Sequence, residues 1–170
     1  MRSNLSKALT TGIVVCSLSL PFQVSASEAE VNFVNPEKFS DIYVSNKSRK
    51  QSLKVVKKDI TKLFQKLTKK YISTDHKLKV QISNIDLPGY IDYMRGEGNR
   101  DIRIVKDLEH YRIKFNFELF DSSGKLLKSG EKQIKEFVDH SPTRMRRNEF
   151  GTVSQFADDI EDWLKAEFES

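Results

Sequence analysis

The sequence predicts an α+β fold: a two-layer sandwich, with a mainly antiparallel sheet of about four strands and two amphipathic helices on one face, in the order β-α-β-β-β-α. Three observations predict it. Apolar residues recur three or four apart from Leu53 to Tyr71 and again from Val153 to Phe168, which is the spacing of a helix with one oily side. Strict alternation runs through Leu78, Val80 and Ile82, and through Tyr111, Ile113, Phe115, Phe117 and Leu119. Each element has a single apolar side, so helices and sheet must cover one another.

The first residues read as an address. Arg2 and Lys7 give a positive start, an apolar stretch follows over 8–22, and Val24-Ser25-Ala26 has the small-residue pattern of a cleavage point. Residues 1–26 are therefore expected to be a removed signal peptide, leaving 27–170 as one domain in the periplasm. Cys16 follows Val15 rather than a small residue and sits inside the apolar run, which argues against a lipoprotein anchor. Once 1–26 are removed, no cysteine remains for a disulfide or a thiol nucleophile, and no transmembrane segment is expected. Losing Arg2 and Lys7 leaves 27 of the 29 basic residues against 24 acids, a net +3.

Val31 to Val34 suggest a short first strand stopped by Asn35-Pro36, since proline cannot donate to a ladder. The first helix follows a capping-box spacing, Ser48 and Gln51. Its flanks hold Lys47, Arg49, Lys50, Lys54, Lys57, Lys58, Lys62, Lys66, Lys69 and Lys70 against Asp59 alone. The second strand changes phase at Asn84, where Ile85 and Leu87 take over the apolar positions, and a bulge would account for the slip. Pro88-Gly89 ends it. The stretch after Tyr111 turns at Asp121-Ser122-Ser123-Gly124 and returns over 126–138 with poor alternation around Ser129-Gly130, so a bulge or an edge position is expected there. The closing helix has capping-box spacing at Thr152 and Gln155 and an acidic outer face.

Several stretches together, "VNFVNPEKFSDI", "ISNIDLPGY", "DIRIVKD", "FELFDSSGKLLKSGEKQIKEF" and "DDIEDWLKAEF", resemble the bacterial family called domain of unknown function 3016. Its members look like exported envelope proteins of Gram-negative bacteria. The resemblance covers nearly all of the chain after 26 and departs from the family pattern between His140 and Thr152. It implies export and a single domain, and it carries no catalytic residue.

The residues offer little chemistry of bond-breaking. His76, His110 and His140 are far apart in sequence and lack short metal-ligand spacing, so no metal or cofactor is expected. There is no Gly-x-Ser-x-Gly elbow and no glycine-rich phosphate loop. The expectation is a non-enzymatic binding or accessory protein, with a small periplasmic hydrolase as the alternative; that rival would gather His110 or His140 with acids and a hydroxyl. Two surfaces are candidates. The 89–101 segment reads as a long loop, with Tyr90, Tyr93, Arg95, Arg100 and Arg103 able to stack and to donate charged hydrogen bonds to a protein partner. Lys57, Lys58, Lys62 and Lys66 supply positive potential toward anionic lipid or lipopolysaccharide, although lysines on a helix flank often only keep it solvated or pair with a neighbouring acidic helix. Nucleic acid is disfavoured, because no aromatic interleaves the exposed lysines.

Overall fold

The computed structural model describes residues 28–96, 98, 100–106, 108–138 and 145–169, with the side chains of 95, 96 and 145–149 left out. The leader assigned to 1–26, Cys16 within it, and His140 lie outside the described residues. The chain runs β1 (Glu28–Phe33), a 3-10 turn (Pro36–Lys38), α1 (Arg49–Tyr71), β2 (Lys77–Asp86), β3 (Tyr90–Gly96), β4 (Arg100–Ile104), β5 (His110–Phe120), β6 (Leu126–Phe137), a 3-10 segment (Met145–Phe156) and α2 (Ala157–Phe168). The α+β sandwich is as expected. The main sheet has the order β1-β2-β5-β6, and β3 pairs with β4 alone in a second, two-stranded sheet.

Alternation decides which face of the main sheet is covered. Leu78, Val80 and Ile82 on β2, and Tyr111, Ile113, Phe115 and Phe117 on β5, are buried under Val56, Ile60, Leu63 and Phe64 of α1 and Ile160, Trp163 and Leu164 of α2. Trp163 is the centre of an aromatic cluster, its ring 4.9 Å from Phe115, 5.1 Å from Phe117 and 5.6 Å from Phe168. The phase change in β2 is a real irregularity, between Ile82 and Asn84. It swings Asn84 out to hold Ser40, accepting from its N–H at 2.9 Å and donating to its hydroxyl at 3.0 Å.

β1 runs parallel to β2, with α1 as the crossover between them, and both β1 and β6 are edges. The capping box of α1 forms as its spacing predicts, Gln51 N–H donating to Ser48 and Ser48 N–H to the Gln51 side chain at 2.9 Å. The edge position of β6 also agrees, but the irregularity does not fall at Ser129-Gly130. Gly130 pairs regularly with Phe117, and the register slips between Leu119 and Phe120. The glycine makes room: a Cβ there would stand 2.9 Å from the Phe117 ring.

The second helix starts later than its sequence suggests. Thr152 is not a helix cap, because its N–H donates instead to Asp59 on α1 at 3.2 Å and the chain stays 3-10 to Phe156. Asp59, the lone acid among the basic flanks, thus fixes the approach to α2. The two helices are joined again at Glu161, a carboxylate only 4% exposed. It accepts from Lys70 at 2.9 Å and from the Tyr71 hydroxyl, with Lys165 3.6 Å away one turn on. The hydrogen bond to Glu161, then that to Tyr71, raises the Lys70 pKa above its usual value. At least one lysine of the basic helix is thereby tied to the acidic one.

Candidate functional site

The 89–101 segment, expected as a loop, is mostly a β-hairpin. Tyr90 pairs with Ile104, Ile91 with Arg103 and Asp92 with Ile102, and the register is broken before Gly96 meets Arg100. Ile102 and Ile104 alternate about Arg103 and so announce a short strand at its end, which is β4, whereas Ile91, Asp92 and Tyr93 give β3 no such pattern.

Two features fix the root of this hairpin. Gly89 has φ +80°, and a Cβ on it would lie 2.0 Å from the Ile104 carbonyl oxygen, so only glycine allows the two strands to close. Arg103 does the rest. Its side chain is 11% exposed. Nε donates to the Pro88 carbonyl at 2.7 Å, and the terminal nitrogens donate to the carbonyls of Tyr43 at 2.7 Å and Leu87 at 2.9 Å. The same nitrogens form a two-pronged pair with the Asp41 carboxylate at 2.7 and 3.4 Å, and its backbone N–H donates to Ser45 Oγ at 2.8 Å. A guanidinium has five donors in a rigid fork, and all five are occupied. A charge held this far from water is tolerable only with such complete pairing.

Arg103 therefore cannot serve as the outward contact expected of it: its donors face the fold, because four backbone carbonyls converge there and need a cation. Asp41, its partner, carries no signal in the sequence beyond a lone acid between Ser40 and Ile42. That segment lies against the end of β2, where Asp41 N–H donates to the Ile85 carbonyl at 3.2 Å and its own carbonyl accepts from Leu87 N–H at 3.0 Å. Arg49 at the start of α1 ties the same segment from the other side, donating to the carbonyls of Glu37 and Phe39, both at 2.9 Å.

Beyond the root the polarity is reversed. Tyr93 is 67% exposed and Met94 95%, while Tyr90 is half-exposed with Lys106 Nζ 5.6 Å from its ring centre. Arg100 is exposed at the start of β4, and the side chain of Arg95 lies outside the described residues. The helix lysines form a second surface. Lys57 stands 4.9 Å from the Phe33 ring centre, and Lys62 and Lys66 reach the Phe150 ring at 6.0 and 5.7 Å. Lys58 is exposed and makes no ion pair among the described residues.

The described histidines do not meet. His76 precedes β2 and His110 opens β5, at opposite ends of that antiparallel pair. His110 stacks on Phe137 at 4.0 Å. His76 shares a recess of about 370 Å³ with Asp75, Asp121 and Ser122, yet its nearest acid oxygen is 3.9 Å away on Asp75. Asp121 is turned into its own bend, accepting from Ser123 and Lys125, which lowers its pKa through the Ser123 hydroxyl first. A nucleophile and base within hydrogen-bond reach would be the mark of covalent hydrolysis, and His76 makes no such bond among the described residues.

Fold and site together define a small α+β sandwich with an arginine-anchored hairpin appended. The chain belongs to the DUF3016 family, described as proteins of unknown function, whose model matches residues 27–166. The stretches that carry the resemblance in the sequence meet at the clamp: Asp41 from the first, Leu87 to Gly89 from the second and Arg103 from the third. A solved structure, a minor lipoprotein from Acinetobacter baumannii, is similar with a TM-score of 0.31 and 7% identity, over 83% of this chain and 94% of that one. No role is transferred from it, and the expectation against a lipid anchor at Cys16 gains no support there. No curated protein matches the chain. Among the described residues no helix is long and apolar enough to cross a membrane.

Proposed function

We propose that this protein is an exported binding or accessory protein of the Gram-negative envelope, one domain over 27–170, which works by recognition in the periplasm. The observation that carries the reading is the outward display of Tyr93 and Met94 on a hairpin whose root is locked. Large apolar side chains on a rigid base contribute contact area at little ordering cost, which is how interface anchors act. Tyr90 and Arg100, exposed on the same hairpin, add to the contact with a protein partner. The lysines of α1 add a positive field that draws anionic envelope components, lipopolysaccharide and anionic lipid among them.

The test is capture from envelope extracts with the purified protein and with Tyr93→Ala/Met94→Ala. A partner retained by the first and lost by the second, with both proteins equally stable, supports the reading. Equal capture by both ends the assignment of the hairpin.

A further inference from the structure

Among the described residues the main sheet ends at β1, whose outer edge pairs with no further strand. The backbone of this strand has a fixed phase: Val34 N–H donates to the Ile82 carbonyl at 2.8 Å, so even-numbered residues face β2. The amides and carbonyls of Val31 and Phe33 consequently point away from the sheet, to the unpaired side. An edge strand in a soluble protein is commonly blunted by proline, a bulge or a covering element. Among the described residues β1 has none of these over Glu28–Phe33, and its pairing to β2 is regular throughout.

What borders the edge is charge. A groove of about 580 Å³ runs between β1 and α1, lined by Val31, Asn32 and Phe33 below and by Lys57, Lys58, Thr61, Lys62 and Gln65 above. Its floor offers unpaired backbone groups and half-buried apolar surface; its upper wall is cationic with no acid in it. Glu30, the nearest acid on the strand, points to the opposite face and is held by Lys77 at 2.8 Å. The hydrogen bond to Lys77, then that from Asn32, lowers its pKa.

We infer that this groove receives an acidic peptide in extended conformation, which adds a fifth strand beside β1 and sets alternate side chains, aspartates or glutamates, against Lys57 and Lys58. Main-chain hydrogen bonds supply the grip and the alternate side-chain positions supply the choice of sequence. This deepens the binding-protein reading by assigning part of the positive field of α1 to one kind of partner. It uses no hairpin residue, so loss of Tyr93 and Met94 leaves it untouched.

The probe is a fluorescein-labelled heptapeptide, (Val-Asp)3-Val, titrated by anisotropy against the purified protein at low salt. Three comparisons decide it. The lysine counterpart, (Val-Lys)3-Val, and the same acidic peptide N-methylated on alternate amides should each bind about tenfold or more weakly. Lys58→Glu should weaken the unmodified peptide by a similar factor, and Val31→Pro should abolish binding while leaving the β1–β2 ladder, which does not use that N–H. Should Val31→Pro fail to fold, the N-methylated peptide still reports on the main chain. Equal affinity for the methylated and unmethylated forms would overturn the inference. So would binding of phosphatidylglycerol vesicles through Lys58 without peptide binding, or self-association of Lys58→Glu with no peptide bound by the parent, which would mark the lysines as guards of the edge.

Discussion

The two ends of the β3–β4 hairpin invert the usual distribution of side chains. At the root, a permanently charged arginine is nearly withdrawn from water; a few residues away Met94 is almost wholly in it. Ordinary folding physics favours neither placement, since burying a charge is costly and a bare methionine forfeits its transfer energy. The root is explained from within the molecule, by carbonyls that had no other donor. Among the described residues nothing covers Met94 at the tip. That asymmetry separates a residue that builds the hairpin from residues left to solvent by the fold.

The contrast breaks most sharply at Arg103. Arg103→Ala leaves the Asp41 carboxylate and the surrounding carbonyls without a donor and should lower stability by about 3 kcal/mol or more. In a thermal melt that is a fall of roughly 10 °C. Arg103→Lys should recover little, because an ammonium cannot span the same fork. A melting temperature within a degree of the parent would show that the root does not depend on this side chain. Gly89→Ala comes next, at about 2 kcal/mol, from an unfavourable positive φ and the overlap with the Ile104 carbonyl. Chemical denaturation measures it, and a neutral result would mean that the strands can part without loss.

At the tip the expected effects on stability are small. Tyr93→Ala and Met94→Ala should each shift stability by no more than about 0.5 kcal/mol, read by the same melts. A larger loss would recast them as parts of the core. The smallest effect lies outside the hairpin, at the other inward-turned charge, Glu161. Lys70 has a raised pKa, so its stabilising contribution is complete below the ordinary lysine value of about 10.5 and disappears as pH climbs through the raised one. The difference in melting temperature between the parent and Lys70→Met should hold constant from neutral pH up toward the ordinary lysine value and close as the pH climbs beyond it. A difference already changing near neutral pH would deny that Lys70 is the group responsible.

How far the sequence foretells all this depends on whether the relevant signal is local. The stripe of α1, its Ser48–Gln51 cap, the alternation of β5 and the slip at Asn84 are properties of a few adjacent residues, and they appear in the fold as read. The Thr152 cap reads equally well and fails, because Asp59, 93 positions away, takes the N–H that a cap would need. Gly130 looks like a bulge until the Phe117 ring is placed over it. The hairpin is hidden for the same reason. Arg103 takes the polar position between Ile102 and Ile104, where alternation leaves room for a surface charge, and only the convergence of 41–45 with 87–89 reveals where it belongs. Tyr90, Tyr93 and Arg100 are exposed, as polar-tipped residues in such a stretch lead one to expect, while the inward turn of Arg103 has no signal in its neighbours.

The chain has a single tryptophan, and its place among Phe64, Phe115, Phe117 and Phe168 makes it an optical gauge with a narrow field of view. Its emission reports how tightly α2 is seated on the sheet, and it is blind to an event at the hairpin tip or along the β1 edge. A titration followed by tryptophan emission alone, excited where tyrosine does not absorb, would stay silent for a genuine ligand at either surface. Extrinsic labels, placed outside the interior, are what such measurements on this protein require.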